Sequence, residues 1–94
     1  MKKNVILHLH GRVQGVSFRY YTLQQARLHG IRGFVQNRPD GSVYIEAEGE
    51  EEKLDAFIRW CHNGPPWAIV ENIEITEQQS KNFTDFTIRE GFGM

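Results

Sequence analysis

In Gly11-Arg12-Val13-Gln14-Gly15-Val16-Ser17-Phe18-Arg19 a strand ends and a helix begins, so this segment sets the pattern for the elements on both sides of it. Upstream, in Val5-Ile6-Leu7-His8-Leu9-His10, Val5, Leu7 and Leu9 share one face and His8 and His10 the other, the two-residue alternation of a half-buried strand. Downstream, Ser17 is placed to cap a helix over about residues 18–29. Gly11 and Gly15 let the backbone turn tightly and bring its N–H groups close to a ligand that a Cβ would hold off. Free N–H groups at a positive helix end suit a phosphate. Arg19, in the first turn, adds a planar fork able to grip two of its oxygens. Local chemistry leaves a second reading open, an ordinary strand-to-helix turn with a solvated arginine. The spacing matches neither Gly-x-x-x-x-Gly-Lys-Ser/Thr nor Gly-x-Gly-x-x-Gly, so nucleotide-dependent chemistry is not indicated.

Working outward, residues 32–37 predict a short strand with Phe34 and Val35 facing opposite ways. Arg38-Pro39-Asp40-Gly41-Ser42 carries Pro and Asp at central turn positions and Gly where a positive φ is useful, which makes a hairpin. Val43, Ile45 and Ala47 then alternate with Tyr44, Glu46 and Glu48, predicting one buried face and one wet face. Glu50-Glu51-Glu52 opens a second helix at the end where acids are favoured, and Gly64-Pro65-Pro66 closes it. Ala68 and Val70 fall in one phase and Ile73 and Ile75 in the other, which places a β-bulge around Glu71-Asn72. A polar loop over 77–82 follows, then a last strand marked by Phe86 and Ile88, and 91–94 read as a loose tail. The order βαββαββ, with helices too short to cover both faces of a parallel sheet, predicts an α+β, ferredoxin-like two-layer sandwich. Its sheet is mainly antiparallel, with two helices on one face.

These motifs together resemble the acylphosphatase family. The run from Gly11 to Arg19 is similar to that family's N-terminal signature nearly residue for residue. Its second signature, Gly-aromatic-Val-x-Asn entering a hairpin, is matched by Gly33-Phe34-Val35-Gln36-Asn37 and the following Asp40-Gly41-Ser42-Val43, at the family's separation from Arg19. The resemblance continues through Gly49-Glu50-Glu51, Gly64-Pro65-Pro66, Ala68, Val70 and Phe86-Thr87-Ile88-Arg89, and makes 1–94 a single acylphosphatase-like domain. One departure is His29, which stands where the family usually has an apolar residue. The resemblance implies hydrolysis of acyl phosphates to a carboxylate and inorganic phosphate. Arg19 and the loop Gly11, Arg12, Val13, Gln14, Gly15 and Val16 would bind phosphate, and Asn37 would orient the attacking water, with no metal and no cofactor.

The residues support that chemistry by what they can and cannot do. In this architecture the first β–α loop and the end of the second strand approach one another, so Arg19 and Asn37 are expected to face one pocket. Arg19 cannot serve as a base at neutral pH and is suited to offsetting charge on phosphate oxygens. Asn37 is a poor base, but its amide can hold a water in line with phosphorus. With no good base or nucleophile, the substrate needs an activated leaving group, and the carboxylate of an acyl phosphate leaves without a proton. Arg12 has a lesser claim and reads as solvated.

Composition is consistent with an enzyme acting on a small molecule. The chain has 94 residues, 39% of them hydrophobic, and a formal net charge of −1, which offers no broad field for nucleic acid or an anionic membrane. No run reaches the length of a membrane span and the first residues lack the apolar core of a signal peptide, so a soluble, cytoplasmic protein is expected. A monomer is the working expectation, although no residue reads out the oligomeric state. Cys61, the only cysteine, lines up with Leu54, Phe57 and Ile58 and reads as a buried, inert thiol. His8-x-His10 places two imidazoles on one strand face, but with no third ligand in sequence reach they read as polar residues of the outer face, and no metal site is expected. Two rival functions share the fold plan. RNA recognition fails because Gln36-Asn37-Arg38 supply none of the later stacking positions after Arg32-Gly33-Phe34-Val35. A non-catalytic anion-binding or regulatory module would not require the water-orienting amide of Asn37.

Overall fold

A computed structural model describes residues 1–90; the predicted tail at 91–94 lies outside the described residues. The elements run β1 (Lys2–Arg12), α1 (Phe18–Leu28), β2 (Arg32–Asn37), β3 (Val43–Glu50), α2 (Glu51–Asn63), β4 (Ile69–Gln78) and β5 (Phe86–Arg89). This is the predicted order. The five strands form one sheet in the order β4-β1-β3-β2-β5. Every pairing is antiparallel except that of β5, which runs parallel to β2 with Gly33 opposite Phe86. The sheet and its two helices fit the ferredoxin-like α+β plan, and the last strand finds its place at the outer edge beside β2.

Alternation on the strands decides which face the helices cover. Leu7 and Leu9 of β1 and Val43, Ile45 and Ala47 of β3 are fully buried, and they pack against Phe18 and Ala26 of α1 and Leu54, Phe57 and Cys61 of α2. Leu54, Phe57 and Cys61 recur at one-turn spacing, and Phe18 and Ala26 stand two turns apart with buried Thr22 between them, so each helix turns one stripe to the sheet. Phe57 meets Phe86 of β5 edge-on at 6.1 Å, tying α2 to the last strand. Cys61 is buried, and burial pushes its thiol pKa far up, which leaves it unreactive. At the end of α1, His29 is the half-buried C-cap residue, the chain turns at Gly30, and Ile31 takes the core position instead. No helix among the described residues is long and apolar enough to cross a membrane.

The opposite face departs from expectation. Glu46 and Glu48 were expected to face water, yet they are only 6% and 1% exposed. The polar segment after β4 folds back over them. Glu48 accepts hydrogen bonds from Asn4 Nδ2 (2.7 Å), the Lys81 N–H (2.8 Å) and Ser80 Oγ (3.0 Å). Glu46 accepts from Lys81 Nζ, Gln78 Nε2 and the Tyr44 hydroxyl. Buried carboxylates persist only when satisfied in this way. On the same face, Phe34 is buried between Tyr44, Phe83 and the Arg89 guanidinium.

The predicted bulge is present. Along β1 and β4, His10 pairs with Asn72 but Gly11 pairs with Val70, so Glu71 is the extra residue on β4.

Candidate active site

The loop between β1 and α1 is shaped by two left-handed residues, Gly15 (φ 74°) and Ser17 (φ 59°). Nothing crowds the space where a Cβ of Gly15 would stand, so glycine is needed there for backbone conformation alone. Gly11 is different. It belongs to β1 at the bulge, and a Cβ there would lie 2.2 Å from the Ile69 carbonyl oxygen. Its smallness serves the β1–β4 pairing, not the approach of a ligand. Ser17 occupies the N-cap position, but its side chain makes no capping bond. The left-handed turn takes Ser17 out of the extended conformation in which a cap residue folds its oxygen over the first turn, and only its carbonyl serves the helix, accepting from the Tyr21 N–H.

That leaves the amides of the first turn of α1 pointing out of the helix end without intrahelical acceptors, and the first turn contains no acidic residue to engage them. They open onto a pocket of about 430 Å³. Val13, Gln14, Gly15 and Ser17 line it from the loop, Phe18, Arg19 and Tyr20 from α1, Asn37 from the end of β2, and Ile88 and Glu90 from β5 and just beyond. Of the residues expected at the site, Val13, Gln14, Gly15, Arg19 and Asn37 are thus brought together. Gly11 and Arg12 lie in β1 and do not line the pocket, Arg12 being exposed. Val16 turns its side chain toward the core instead.

Three side chains define the polar character of the pocket. Arg19 holds its guanidinium against Glu90, with Nη1 2.9 Å from Oε2. Asn37 Oδ1 is buried and meets no hydrogen-bond donor among the described residues. Such an acceptor is costly unless something donates to it. Gln14 spends both amide hydrogens on the hairpin after β2, donating to the Arg38 and Ser42 carbonyls at 2.8 Å each. Its side chain therefore fastens the loop beside Asn37 and has no amide hydrogen left to donate to a ligand. The hairpin is held in turn by Asp40, whose Oδ1 accepts from the Ser42 N–H (2.9 Å) and the Ser42 hydroxyl.

The pocket also includes residues the sequence did not single out. Glu90 comes from the far end of the chain, and no local signal links it to Arg19. Tyr20 and Ile88 give the pocket an apolar flank; Tyr20, next to Arg19, stands out in sequence only by that adjacency.

Comparison with known proteins agrees over nearly the full length. The family model described as Acylphosphatase matches residues 5–88. An acylphosphatase of Nocardioides is 42% identical over 89 residues, covering 95% of this chain and 90% of that one. An acylphosphatase of Archaeoglobus fulgidus is 45% identical over 82 residues, covering 87% and 92%. The crystal structure of acylphosphatase from Bacillus subtilis superimposes with a TM-score of 0.88 at 40% identity, covering 95% of this chain and 99% of that one.

Proposed function

The chain belongs to the acylphosphatase family and is an enzyme that hydrolyses acyl phosphates; from that premise we propose that Arg19 and the amides at the start of α1 hold the phosphoryl group while Asn37 directs the attacking water. The observation that carries this reading is the buried, undonated Oδ1 of Asn37 in the same pocket as the Arg19 guanidinium. A water placed there can donate one hydrogen to Oδ1 and present its lone pair to phosphorus.

Charge bookkeeping follows from the groups present. The phosphoryl group carries negative charge that spreads over its equatorial oxygens as the bond to the acyl oxygen lengthens. Arg19 and the helix end offset that charge from fixed positions, so little reorganisation accompanies the reaction. The acyl carboxylate departs without protonation, and a phosphate oxygen of the substrate can take the proton released by water. No side chain is required as base or as nucleophile. Gly15 supplies the loop's turn, Gln14 keeps the loop against the hairpin, and the flank of Tyr20 and Ile88 is where an apolar acyl group would lie. Gly11, Arg12 and Val16 belong to the framework of the loop in this reading.

The same reading takes residues 1–94 as one domain working as a cytoplasmic monomer without nucleic acid or cofactor. A formal net charge of −1 and the small, local site support it. The experiment that tests the mechanism is hydrolysis of benzoyl phosphate in the presence of a chelator, alongside a stable phosphate monoester. Turnover of the first and not the second is expected. Activity lost with chelator and restored by a divalent ion would overturn the mechanism.

A further inference from the structure

On the helix-free face of the sheet, well apart in role from the phosphate pocket, β1 and β4 bring three ligand-type side chains together. His8 lies directly opposite Glu74 in the antiparallel register, and His10 is the next residue of β1 on that face. Glu74 Oε1 is 3.0 Å from His10 Nε2 and 3.5 Å from His8 Nδ1, and the two rings sit 4.3 Å apart. One ligand atom from each residue falls within 4.8 Å of the others. Ligands held at roughly 2.0–2.1 Å from a tetrahedral zinc ion stand about 3.3 Å from one another. The two nitrogen–oxygen separations bracket that value. The missing third ligand of the His8-x-His10 pair thus comes from another strand, more than sixty positions away in sequence.

The orientation of His8 supports the same conclusion. Its Nε2 is 2.7 Å from the Ser42 hydroxyl, and that hydroxyl donates to Asp40. A serine hydroxyl that gives its own hydrogen to a carboxylate accepts from the imidazole, so Nε2 carries the ring proton and Nδ1 presents a lone pair toward Glu74. Two acceptors facing each other at 3.5 Å repel, and a cation bound to both relieves that repulsion. A ligating histidine whose second nitrogen is held by a hydroxyl and a carboxylate behind it is the usual support of a metal centre.

We propose that His8 Nδ1, His10 Nε2 and Glu74 Oε1 form a binding site for a divalent first-row transition ion of the zinc type, with water completing the coordination. Nitrogen and carboxylate ligands in this ratio suit Zn²⁺, Co²⁺ or Cu²⁺ and are poor for Mg²⁺ or Ca²⁺. The ion takes no part in hydrolysis. Through its other nitrogen His8 rests on Ser42, whose carbonyl also anchors Gln14, so fixing His8 braces the hairpin beside the phosphate pocket.

The test is calorimetric titration of chelator-stripped protein with Zn²⁺, together with visible absorption on adding Co²⁺. Stoichiometric binding is expected, with Co²⁺ bands of four- or five-coordinate intensity and a raised melting temperature. Glu74→Gln at an exposed position and His10→Ala at a half-buried one, both outside the core, should abolish that binding. Ser42→Ala should weaken it by roughly tenfold, and His62→Ala, on α2, should leave it unchanged. Zn²⁺ bound equally well by wild type and Glu74→Gln would overturn the site, as would Mg²⁺ competing at similar concentration or loss of binding in His62→Ala.

Discussion

Arg19 Nη1 donates to both carboxylate oxygens of Glu90, at 2.9 and 3.4 Å, so the guanidinium proposed to receive phosphate already rests on an acid of its own chain. Glu90 is largely exposed, and an ion pair of that kind contributes only about 0–1 kcal/mol. A phosphate dianion engaging Arg19 and the helix end together can displace it. Glu90→Gln should therefore tighten competitive inhibition by inorganic phosphate, by no more than about fivefold, with little change in kcat. Weaker inhibition in the variant would mean that Glu90 supports the phosphate site and does not compete for it.

Arg19 should not tolerate a change that keeps only its charge. Because a lysine cannot reproduce the planar fork, Arg19→Lys is expected to lose nearly as much kcat/KM as Arg19→Gln, roughly two to three orders of magnitude. Phosphate should raise the melting temperature of wild type and do so far less in either variant, since it binds only the folded state. Equal stabilisation of all three proteins would remove Arg19 from the site.

Asn37 separates chemistry from binding. Asn37→Ala should lower kcat by roughly two to three orders of magnitude while phosphate inhibition stays near wild type. Measuring kcat, phosphate inhibition and melting on one preparation distinguishes the alternatives. A folded variant with ordinary kcat would make Asn37 a hairpin residue, and inhibition weakened in step with kcat would make it a second phosphate ligand.

The two glycines of the first signature should fail in different ways. Gly11→Ala forces a Cβ onto the Ile69 carbonyl at a backbone angle, φ 126°, that also disfavours alanine, and is expected to cost roughly 3 kcal/mol of stability. Gly15→Ala meets no atoms and costs about 1–2 kcal/mol for its left-handed backbone, with a larger loss of activity than of stability. Urea denaturation alongside kinetics reads both. Equal stability losses would contradict the separate roles assigned to them.

Acid should act through the face opposite the helices. Burial alone would raise the Glu48 carboxyl, but the Lys81 N–H, Asn4, Ser80 and Lys2 together outweigh it and hold its pKa below the ordinary 4.5. Glu46 is shifted the same way, burial being outweighed by Tyr44, Lys81 and Gln78. A carboxyl whose folded pKa is depressed stabilises the fold fully above its unfolded pKa, and that contribution is lost as pH falls toward the folded one. Urea midpoints measured from about pH 7 to about pH 3 should fall below pH 4.5 in wild type, and fall less steeply in Glu48→Gln from a lower starting value. A flat wild-type profile over that range would argue against the network.

What could be read from sequence was whatever depends on local phase. The alternation of Val5, Leu7 and Leu9, the hairpin at Pro39-Asp40-Gly41 and the slip between Val70 and Ile73 each declare themselves within a few residues, and each appears where expected. The shared pocket of Arg19 and Asn37 needed only the element order and the resemblance. The burial of Glu46 and Glu48 was hidden because alternation distinguishes the two faces of a strand without saying that Ser80 and Lys81 return to cover one of them. Glu90 beside Arg19 and Glu74 beside His8 were hidden for the same reason, one following β5 and the other lying in β4, both placed only by the completed sheet. Ser17 misled because its type suits a cap while the loop imposes a left-handed backbone on it.

The extra residue at Glu71 acts on β4 much as an inserted letter acts on a reading frame. Every side chain from Asn72 onward owes its side of the sheet to that one insertion, since successive residues of a strand point to opposite faces. Deleting Glu71 would carry Glu74 round to the helix side and turn Ile73 and Ile75 out beside the histidines, with no side chain having been substituted. At this place in the chain the number of residues therefore matters more than their identity, and a substitution of Glu71 is expected to cost far less than its deletion.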